Sequence, residues 1–70
     1  MTVHVMVNGE ERELQADATV ATVVRSLAGA PDGRGIAVAL EGEVVRRAEW
    51  GRTALRDGAH IEVVVAVQGG

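Results

Sequence analysis

Two glycines end the chain, and their position makes the carboxyl terminus the best candidate for chemistry. Gly69 and Gly70 directly follow a strongly alternating apolar segment. Because glycine has no Cβ atom, both residues can enter a narrow channel in backbone conformations that other residues rarely adopt. The terminal carboxylate can then reach a partner's active site unobstructed. A free carboxylate is a poor electrophile, and joining it to AMP would supply a good leaving group. We therefore expect a partner enzyme to modify Gly70.

The chain divides into a folded body and this terminal segment. We assign residues 1–66 to one small domain and residues 67–70 to a flexible tail that enters the partner's active site. At about 3.3 Å per extended residue, four residues reach about 13 Å from the body. The predicted tail residues are Val67, Gln68, Gly69 and Gly70.

Other reactive arrangements are missing from the 70 residues. The chain has no cysteine and no lysine, which excludes disulfides, zinc–thiolate sites and Schiff-base chemistry. We expect His4 on the outer face of a sheet and His60 at a turn, both at the surface and neither bound to a metal. We predict no catalytic residue, no metal site and no cofactor bound by the chain, and therefore not an enzyme but a carrier of a reactive group.

Composition and charge narrow the choice of partners. Seven arginines against ten acidic residues give a net charge of −3, and Trp50 is the only aromatic residue. This balance argues against nucleic acid as a partner. No apolar run reaches the length of a membrane helix, and the amino terminus does not resemble a signal peptide. We expect a cytoplasmic monomer that binds neither nucleic acid nor membrane.

Two groups of charged residues admit more than one interpretation. Three glutamates on a predicted edge strand could be paired carboxylates, but we interpret them as a solvated acidic rim that discourages sheet-to-sheet aggregation. Four arginines lie close together in the sequence. They could form either a solvated face or a docking patch for an acidic partner. The glutamates are Glu10, Glu11 and Glu13, and the arginines are Arg46, Arg47, Arg52 and Arg56.

The first half of the chain predicts a hairpin and then a helix. Residues 2–7 alternate with period two, and Asn8-Gly9 is the strongest short signal for a type I′ hairpin turn into a strand from about Glu11 to Gln15. An apolar stripe at helical spacing follows, with Thr19 as the expected N-cap and Gly29 and Pro31 ending the helix. The stripe consists of Val20, Val23, Val24 and Leu27.

The second half predicts short strands and a long final one. Strands are expected at 36–40, 43–47 and 60–67, with turns at Glu41-Gly42 and Asp57-Gly58. Trp50 and Leu55 are expected to close the end of the core. A final strand parallel to the first would produce an α+β fold, the ubiquitin-like β-grasp, with a mixed sheet of four to five strands packed on one helix.

The same alternation predicts a low-polarity patch on the outer face of the sheet. Residues 61, 63, 65 and 67 of the final strand alternate with the outward residues 62, 64, 66 and 68. Exposed apolar patches often mark partner sites, so we expect partner enzymes to dock there. The predicted docking face consists of Met6, Ala37, Ala39, Val64 and Ala66.

Three segments of the chain resemble the ThiS family of sulfur carrier proteins. They are residues 38–50, residues 55–63 and residues 66–70, and the similarity extends over essentially the whole chain. Its most specific parts are the Glu49-Trp50 pair and the Asp57-Gly58 turn. The family usually has Asn where this chain has Glu41 and Pro where it has Arg46.

The resemblance implies a reaction sequence and a set of partners. An E1-like adenylyltransferase of the ThiF type would adenylate Gly70 with ATP and magnesium. A sulfur donor, such as a cysteine desulfurase or a rhodanese, would supply the sulfur of a thiocarboxylate. Thiazole synthase of the ThiG type would then take that sulfur into the thiazole ring of thiamine.

Three other readings remain open at this point. The chain could resemble the small subunit of molybdopterin synthase, or be a sulfur carrier for cysteine or methionine synthesis. It could also be a β-grasp module that binds partners non-covalently and whose terminal glycines are incidental.

Overall fold

The structure is a computed structural model that describes residues 1–28 and 35–65. Within these ranges the chain forms strands, an α-helix and a 3₁₀ helix. In chain order the elements are β1 (Thr2–Val7), β2 (Glu10–Gln15), α1 (Val20–Ala28), β3 (Ile36–Leu40), β4 (Glu43–Val45), the 3₁₀ helix (Arg47–Arg52) and β5 (His60–Val65).

The five strands of the described residues form one mixed sheet. Their order is β2-β1-β5-β3-β4, with β1 and β5 parallel and all other neighbours antiparallel. Apolar side chains of α1 and of the sheet share one core, which makes two layers. The predicted ubiquitin-like β-grasp fold is confirmed, including the parallel pairing of the first and final strands.

The first hairpin forms as its sequence predicts. Asn8 and Gly9 have φ angles of +52° and +84°, the two positive values that a type I′ turn requires. β2 begins at Glu10, one residue earlier than expected, and lies at the edge of the sheet. Its three glutamates are exposed to solvent, as the predicted acidic rim requires.

Helix α1 is held in place by its apolar stripe. Three valines are almost completely buried, and Leu27 is partly buried against the same core. Because valine is a mediocre helix former, this packing stabilises the helix more than its intrinsic propensity does. The buried valines are Val20, Val23 and Val24.

The amino-terminal end of α1 differs in detail from the expected cap. Thr19 directly precedes the helix, and its carbonyl accepts a hydrogen bond from the Val23 N–H at 3.4 Å. The hydroxyl that bonds to the backbone, however, belongs to Thr22, whose Oγ1 accepts from the Thr19 N–H at 3.1 Å. Gly29 and Pro31, predicted to end the helix, lie outside the described residues.

The core consists mainly of aliphatic side chains and also includes Trp50. Trp50 and Leu55 are 6% and 3% exposed, so both belong to the buried core, as expected. The other buried members of the cluster are Val5, Val7, Val20, Val23, Val24, Val38, Ala59, Ile61 and Val63.

Strand β4 is shorter than the predicted strand at 43–47. It ends at Val45, whose carbonyl accepts a hydrogen bond from the Trp50 indole Nε1–H at 2.9 Å. The Arg46 carbonyl accepts from the Glu49 N–H at 2.8 Å, which starts the 3₁₀ helix. Strand β4 therefore gives way to the 3₁₀ helix that carries the buried Trp50.

Arg46 and Glu41 have backbone angles that other residue types favour. Arg46 has a φ of −66°, close to the value that proline imposes. Glu41 has a φ of +51° and Gly42 a φ of +82°, so the predicted turn is again of type I′. Asn adopts this left-handed conformation more readily than Glu does, so Glu41 is strained.

The Glu41 side chain offsets part of this strain through His60. Its Oε2 accepts a hydrogen bond from the His60 N–H at 3.0 Å, and its Oε1 lies 3.8 Å from His60 Nδ1. The backbone N–H of Glu41 also donates to the His60 carbonyl at 2.8 Å. These contacts join the β3–β4 turn to the start of β5.

We expect Glu41→Asn to raise the free energy of unfolding by about 0.5–1 kcal/mol, because left-handed strain costs most residues roughly 1–2 kcal/mol and Asn less. The carboxylate contacts to His60 are exposed, so their loss offsets only part of this gain. Urea unfolding measures the change. Glu41→Gln is the matched control, because it keeps the side-chain length and the strain and should give no gain. A fall in stability for Glu41→Asn would show that the His60 contacts outweigh the strain.

Candidate functional site

Strand β5 leads directly into the predicted tail and occupies the middle of the sheet. On one side it pairs with β3 over residues 61–65, from Leu40↔Ile61 to Ile36↔Val65. On the other side it pairs with β1 at Met6↔His60 and Val7↔Ile61. Neighbours on both sides therefore hold the start of the strand that carries the chain toward its terminus.

The predicted tail itself lies outside the described residues, because the description ends at residue 65. Modification of Gly70 and entry of the tail into a partner therefore stay predictions. The assignment of residues 1–66 to the domain and 67–70 to the tail stays a prediction as well. The tail residues concerned are Val67, Gln68, Gly69 and Gly70.

The predicted docking face lies on the side of the sheet opposite α1. Ala37 and Val64 are exposed, Val64 to 63%, and they are directly opposite each other in the β3–β5 register. Met6 and Ala39 are partly buried. Ala66, the fifth predicted member, lies outside the described residues. Four small or apolar side chains are thus available on one side of the sheet.

Val44 belongs to this face, although the sequence reading did not include it. It is 79% exposed and pairs with Ala39 across β3 and β4. The signal was present in the sequence: a two-residue turn at positions 41 and 42 sets Leu40 opposite Glu43 and hence Ala39 opposite Val44. We define the outer-face patch as Met6, Ala37, Ala39, Val44 and Val64.

Glu62 gives the outer-face patch an acidic component. It is exposed and lies opposite Ala39 in the register of β3 and β5, two residues before Val64 on the same face of β5. The patch therefore offers a partner an apolar surface with a carboxylate inside it. An apolar surface with a basic group opposite Glu62 would complement this arrangement.

Alternation does not predict the environment at the end of β5. Val65 was expected to follow Ile61 and Val63 into the core, but it is 53% exposed. It pairs with Ile36, the first residue of β3, which is itself only partly buried. Val65 therefore lies beyond the edge of the buried core. At this position a side chain on the helix side of the sheet is still exposed to solvent.

Each histidine lies at the surface beside one carboxylate. The backbone N–H of His4 donates to Asp57 Oδ1 at 2.7 Å, and the His4 Nδ1 lies 3.6 Å from the same oxygen. His60 is held by Glu41 as described above. Within residues 1–28 and 35–65, no group of three or more His, Cys, Asp and Glu side chains could hold a metal ion. The two contacts fasten the turn at residues 57–58 and the start of β5.

The four clustered arginines are exposed on and around the 3₁₀ helix. Arg52 Nε lies 3.7 Å from Glu49 Oε1, an ion pair between exposed side chains that contributes little to stability. The acidic strand β2 and the strand β4 that precedes the arginines lie at opposite edges of the sheet. Among the described residues, no helix is long and apolar enough to cross a bilayer.

Within residues 1–28 and 35–65, the strand order, the one packed α-helix and the central position of β5 define a ubiquitin-like β-grasp protein. A model of the ThiS family matches residues 5–70, which is nearly the entire chain and includes both terminal glycines. The chain therefore belongs to the ThiS family, and the resemblance found in the sequence is confirmed.

A solved structure supports the same fold. The crystal structure of a thiamine biosynthesis protein (ThiS) from Geobacter metallireducens aligns with a TM-score of 0.75 and 24% sequence identity. The alignment covers 97% of this chain and 100% of that one. A search of curated protein sequences found no significant match.

Proposed function

We propose that the chain is the sulfur carrier for formation of the thiazole ring of thiamine. Membership in the ThiS family supports a sulfur carrier role in thiamine biosynthesis. The observation that carries the proposal is that the family match extends through Gly70, so the proposed reactive carboxylate lies within the matched region. The proposed reactive site is thus Gly70, and the folded body is the part that partner enzymes would recognise.

The proposed chemistry starts with activation of the terminal carboxylate. A carboxylate oxygen of Gly70 attacks the α-phosphorus of ATP, which forms the acyl adenylate and releases pyrophosphate. A persulfide sulfur then attacks the acyl carbon and displaces AMP, giving an acyl persulfide. A thiol cleaves the sulfur–sulfur bond, which releases the thiocarboxylate and leaves a disulfide on the donor side. The carrier contributes the acyl group, and the partner enzymes contribute the catalysis.

This chemistry requires three kinds of partner. An E1-like adenylyltransferase of the ThiF type uses ATP and magnesium to activate Gly70. A cysteine desulfurase or a rhodanese supplies sulfur, and thiazole synthase of the ThiG type receives it. The carrier acts as a monomer and as a co-substrate, binding no cofactor of its own.

The outer-face patch is the proposed docking surface for these enzymes. Val44 and Val64 are among the most exposed large apolar side chains in the described residues, and both lie on this face. Val64 is also six residues from Gly70, on the strand that leads to it. Docking on this face would place the tail close to the partner's active site, since six extended residues span about 20 Å.

Mass spectrometry tests the proposed function. We would incubate the full chain with a ThiF-type enzyme, ATP with magnesium, and a sulfur source, and measure its intact mass. We expect a mass increase equal to the replacement of one oxygen by sulfur, and no increase when ATP is omitted. An unchanged mass in the complete mixture would favour a non-covalent β-grasp module.

The acceptor enzyme separates the proposed carrier from other sulfur carriers. We expect the thiocarboxylate form to be consumed by thiazole synthase and not by the large subunit of molybdopterin synthase. The intact mass should return to that of the carboxylate form only with the first enzyme. Consumption by the second enzyme alone would assign the chain to molybdopterin synthesis, and consumption by neither would favour a carrier for cysteine or methionine synthesis.

A further inference from the structure

The side chain of Asn8 forms two hydrogen bonds with the backbone of a single residue in β5. Its Oδ1 accepts from the Val63 N–H at 2.8 Å, and its Nδ2 donates to the Val63 carbonyl at 3.2 Å. The backbone N–H of Asn8 also donates to the Ile61 carbonyl at 3.0 Å. Three hydrogen bonds thus join this turn residue to the final strand.

These bonds continue the parallel pairing beyond the point where β1 ends. The register of β1 and β5 stops at Val7↔Ile61, because the chain reverses at Asn8-Gly9 into β2. The amide of Asn8 supplies the donor and the acceptor that a further residue of β1 would have supplied. Val63, which is 7% exposed, therefore keeps both backbone groups paired on this side.

Position 8 has two requirements that asparagine meets together. The type I′ turn needs a positive φ there, which favours Asn, Asp and Gly. Val63 needs a partner with both an N–H donor and an oxygen acceptor, which an amide has and a carboxylate lacks. Asp would keep only the acceptor, and Gly would keep neither bond.

We propose that Asn8 is a positioning residue for activation of Gly70. It holds β5 to the β1 side of the sheet as far as Val63, seven residues before the terminus. Without it, β5 beyond Ile61 is paired only with β3, and the strand that carries the tail has more freedom. This inference rests on the proposed function, because it assumes that a partner enzyme must engage the tail.

The expected kinetic effect is on binding of the carrier and not on the chemical step. The partner enzyme can bind only those molecules in which β5 directs the tail into its active site. The apparent affinity for the carrier is then the intrinsic affinity multiplied by the fraction of such molecules. Two net hydrogen bonds correspond to about a tenfold change or more in a local equilibrium. We therefore expect Asn8→Gly to raise the KM for the carrier in adenylation severalfold, with about tenfold as the upper limit for a tenfold change in that equilibrium, and kcat to change less than about twofold.

The experiment compares the full chain with three variants. Asn8→Gly removes both side-chain bonds and permits the turn, and Asn8→Asp keeps only the acceptor. Leu14→Ala is the control for general loss of stability, because Leu14 packs on the core from β2 and pairs with Val3 rather than with β5. Adenylation by the ThiF-type enzyme is followed by pyrophosphate release, and amide hydrogen exchange is followed at Val63.

The proposal predicts a specific pattern of results. Asn8→Gly should lose more exchange protection at Val63 than its change in global stability explains, and it should raise KM. Asn8→Asp keeps the acceptor of the Val63 N–H, so it should keep most of that protection and raise KM less. Leu14→Ala should lower protection only in proportion to its loss of global stability and should leave KM unchanged. The proposal is overturned if Val63 loses protection in Asn8→Gly without a rise in KM, or if Leu14→Ala raises KM equally. Failure of the unmodified chain to release pyrophosphate would instead contradict the proposed function, and the positioning role with it.

Discussion

Adding one alanine after Gly70 is expected to abolish adenylation of the carrier. The added residue moves the carboxylate about 3.3 Å along an extended chain and places a Cβ atom at the terminus. Because a misplacement of about 1 Å can cost a factor of roughly 100 in rate, we expect a loss of about a thousandfold or more. Pyrophosphate release with the ThiF-type enzyme measures the loss.

A matched extension at the other end is the control. Met1 is fully exposed, so one alanine added before it should leave adenylation and unfolding unchanged. The variant extended after Gly70 should also unfold like the original chain. If it were adenylated at the normal rate, the unobstructed terminal carboxylate would not be the reacting group.

Val64→Glu is expected to lower kcat/KM for adenylation by about 30-fold or more, the loss typical of a central interface residue worth at least 2 kcal/mol. The substitution places a second carboxylate beside Glu62 on the apolar outer-face patch, where docking would have to desolvate it. Val64 is 63% exposed, so we expect the free energy of unfolding to fall by less than about 1 kcal/mol. Urea unfolding and adenylation kinetics give the two quantities.

Two further variants show whether the position or the charge matters. Gln15→Glu adds the same single charge, with almost no change in size, on the exposed edge strand β2. It should leave adenylation unchanged. Val44→Glu lies on the outer-face patch near its edge and should give a smaller loss than Val64→Glu. Equal losses for Val64→Glu and Gln15→Glu would point to general charge repulsion, and unchanged kcat/KM for Val64→Glu would remove the patch from the interface.

The parts of the fold that could be predicted are those in which neighbouring residues determine the structure. Alternation and the Asn8-Gly9 pair specify the hairpin, and the apolar stripe at helical spacing specifies α1. The order of these elements was enough to predict a final strand parallel to the first. Each of these signals lies within a short segment, so no contact between distant segments had to be known.

The structure differs from the sequence-based expectations where a specific side-chain contact, or the extent of the core, decides the local structure. β4 ends early because the Val45 carbonyl bonds to the indole of Trp50, five residues later. Val65 is exposed because the buried layer ends before the strand does. Thr19 directly precedes the helix, as expected, but the hydroxyl that bonds to the backbone there belongs to Thr22, a detail that composition does not reveal.

Some parts of the candidate site could likewise be predicted from the sequence, and others could not. Gly70 stands out from the sequence, since its role needs only an unobstructed carboxylate at the end of a chain. The outer-face patch was predicted in part, and the two-residue turn at positions 41 and 42 would have added Val44 through the register of β3 and β4. The contact of Asn8 with Val63 spans 55 positions and depends on the parallel register, so the hairpin signal could not predict it.

The most direct test of the central claim locates sulfur on the carrier made in cells. We would isolate the full chain from cells that lack thiazole synthase, so that charged carrier is not consumed, and fragment it in a mass spectrometer. We predict that one oxygen is replaced by sulfur and that the change is confined to the fragment containing the carboxyl group of Gly70. A carrier without sulfur under these conditions, or with sulfur at any other residue, would contradict the claim.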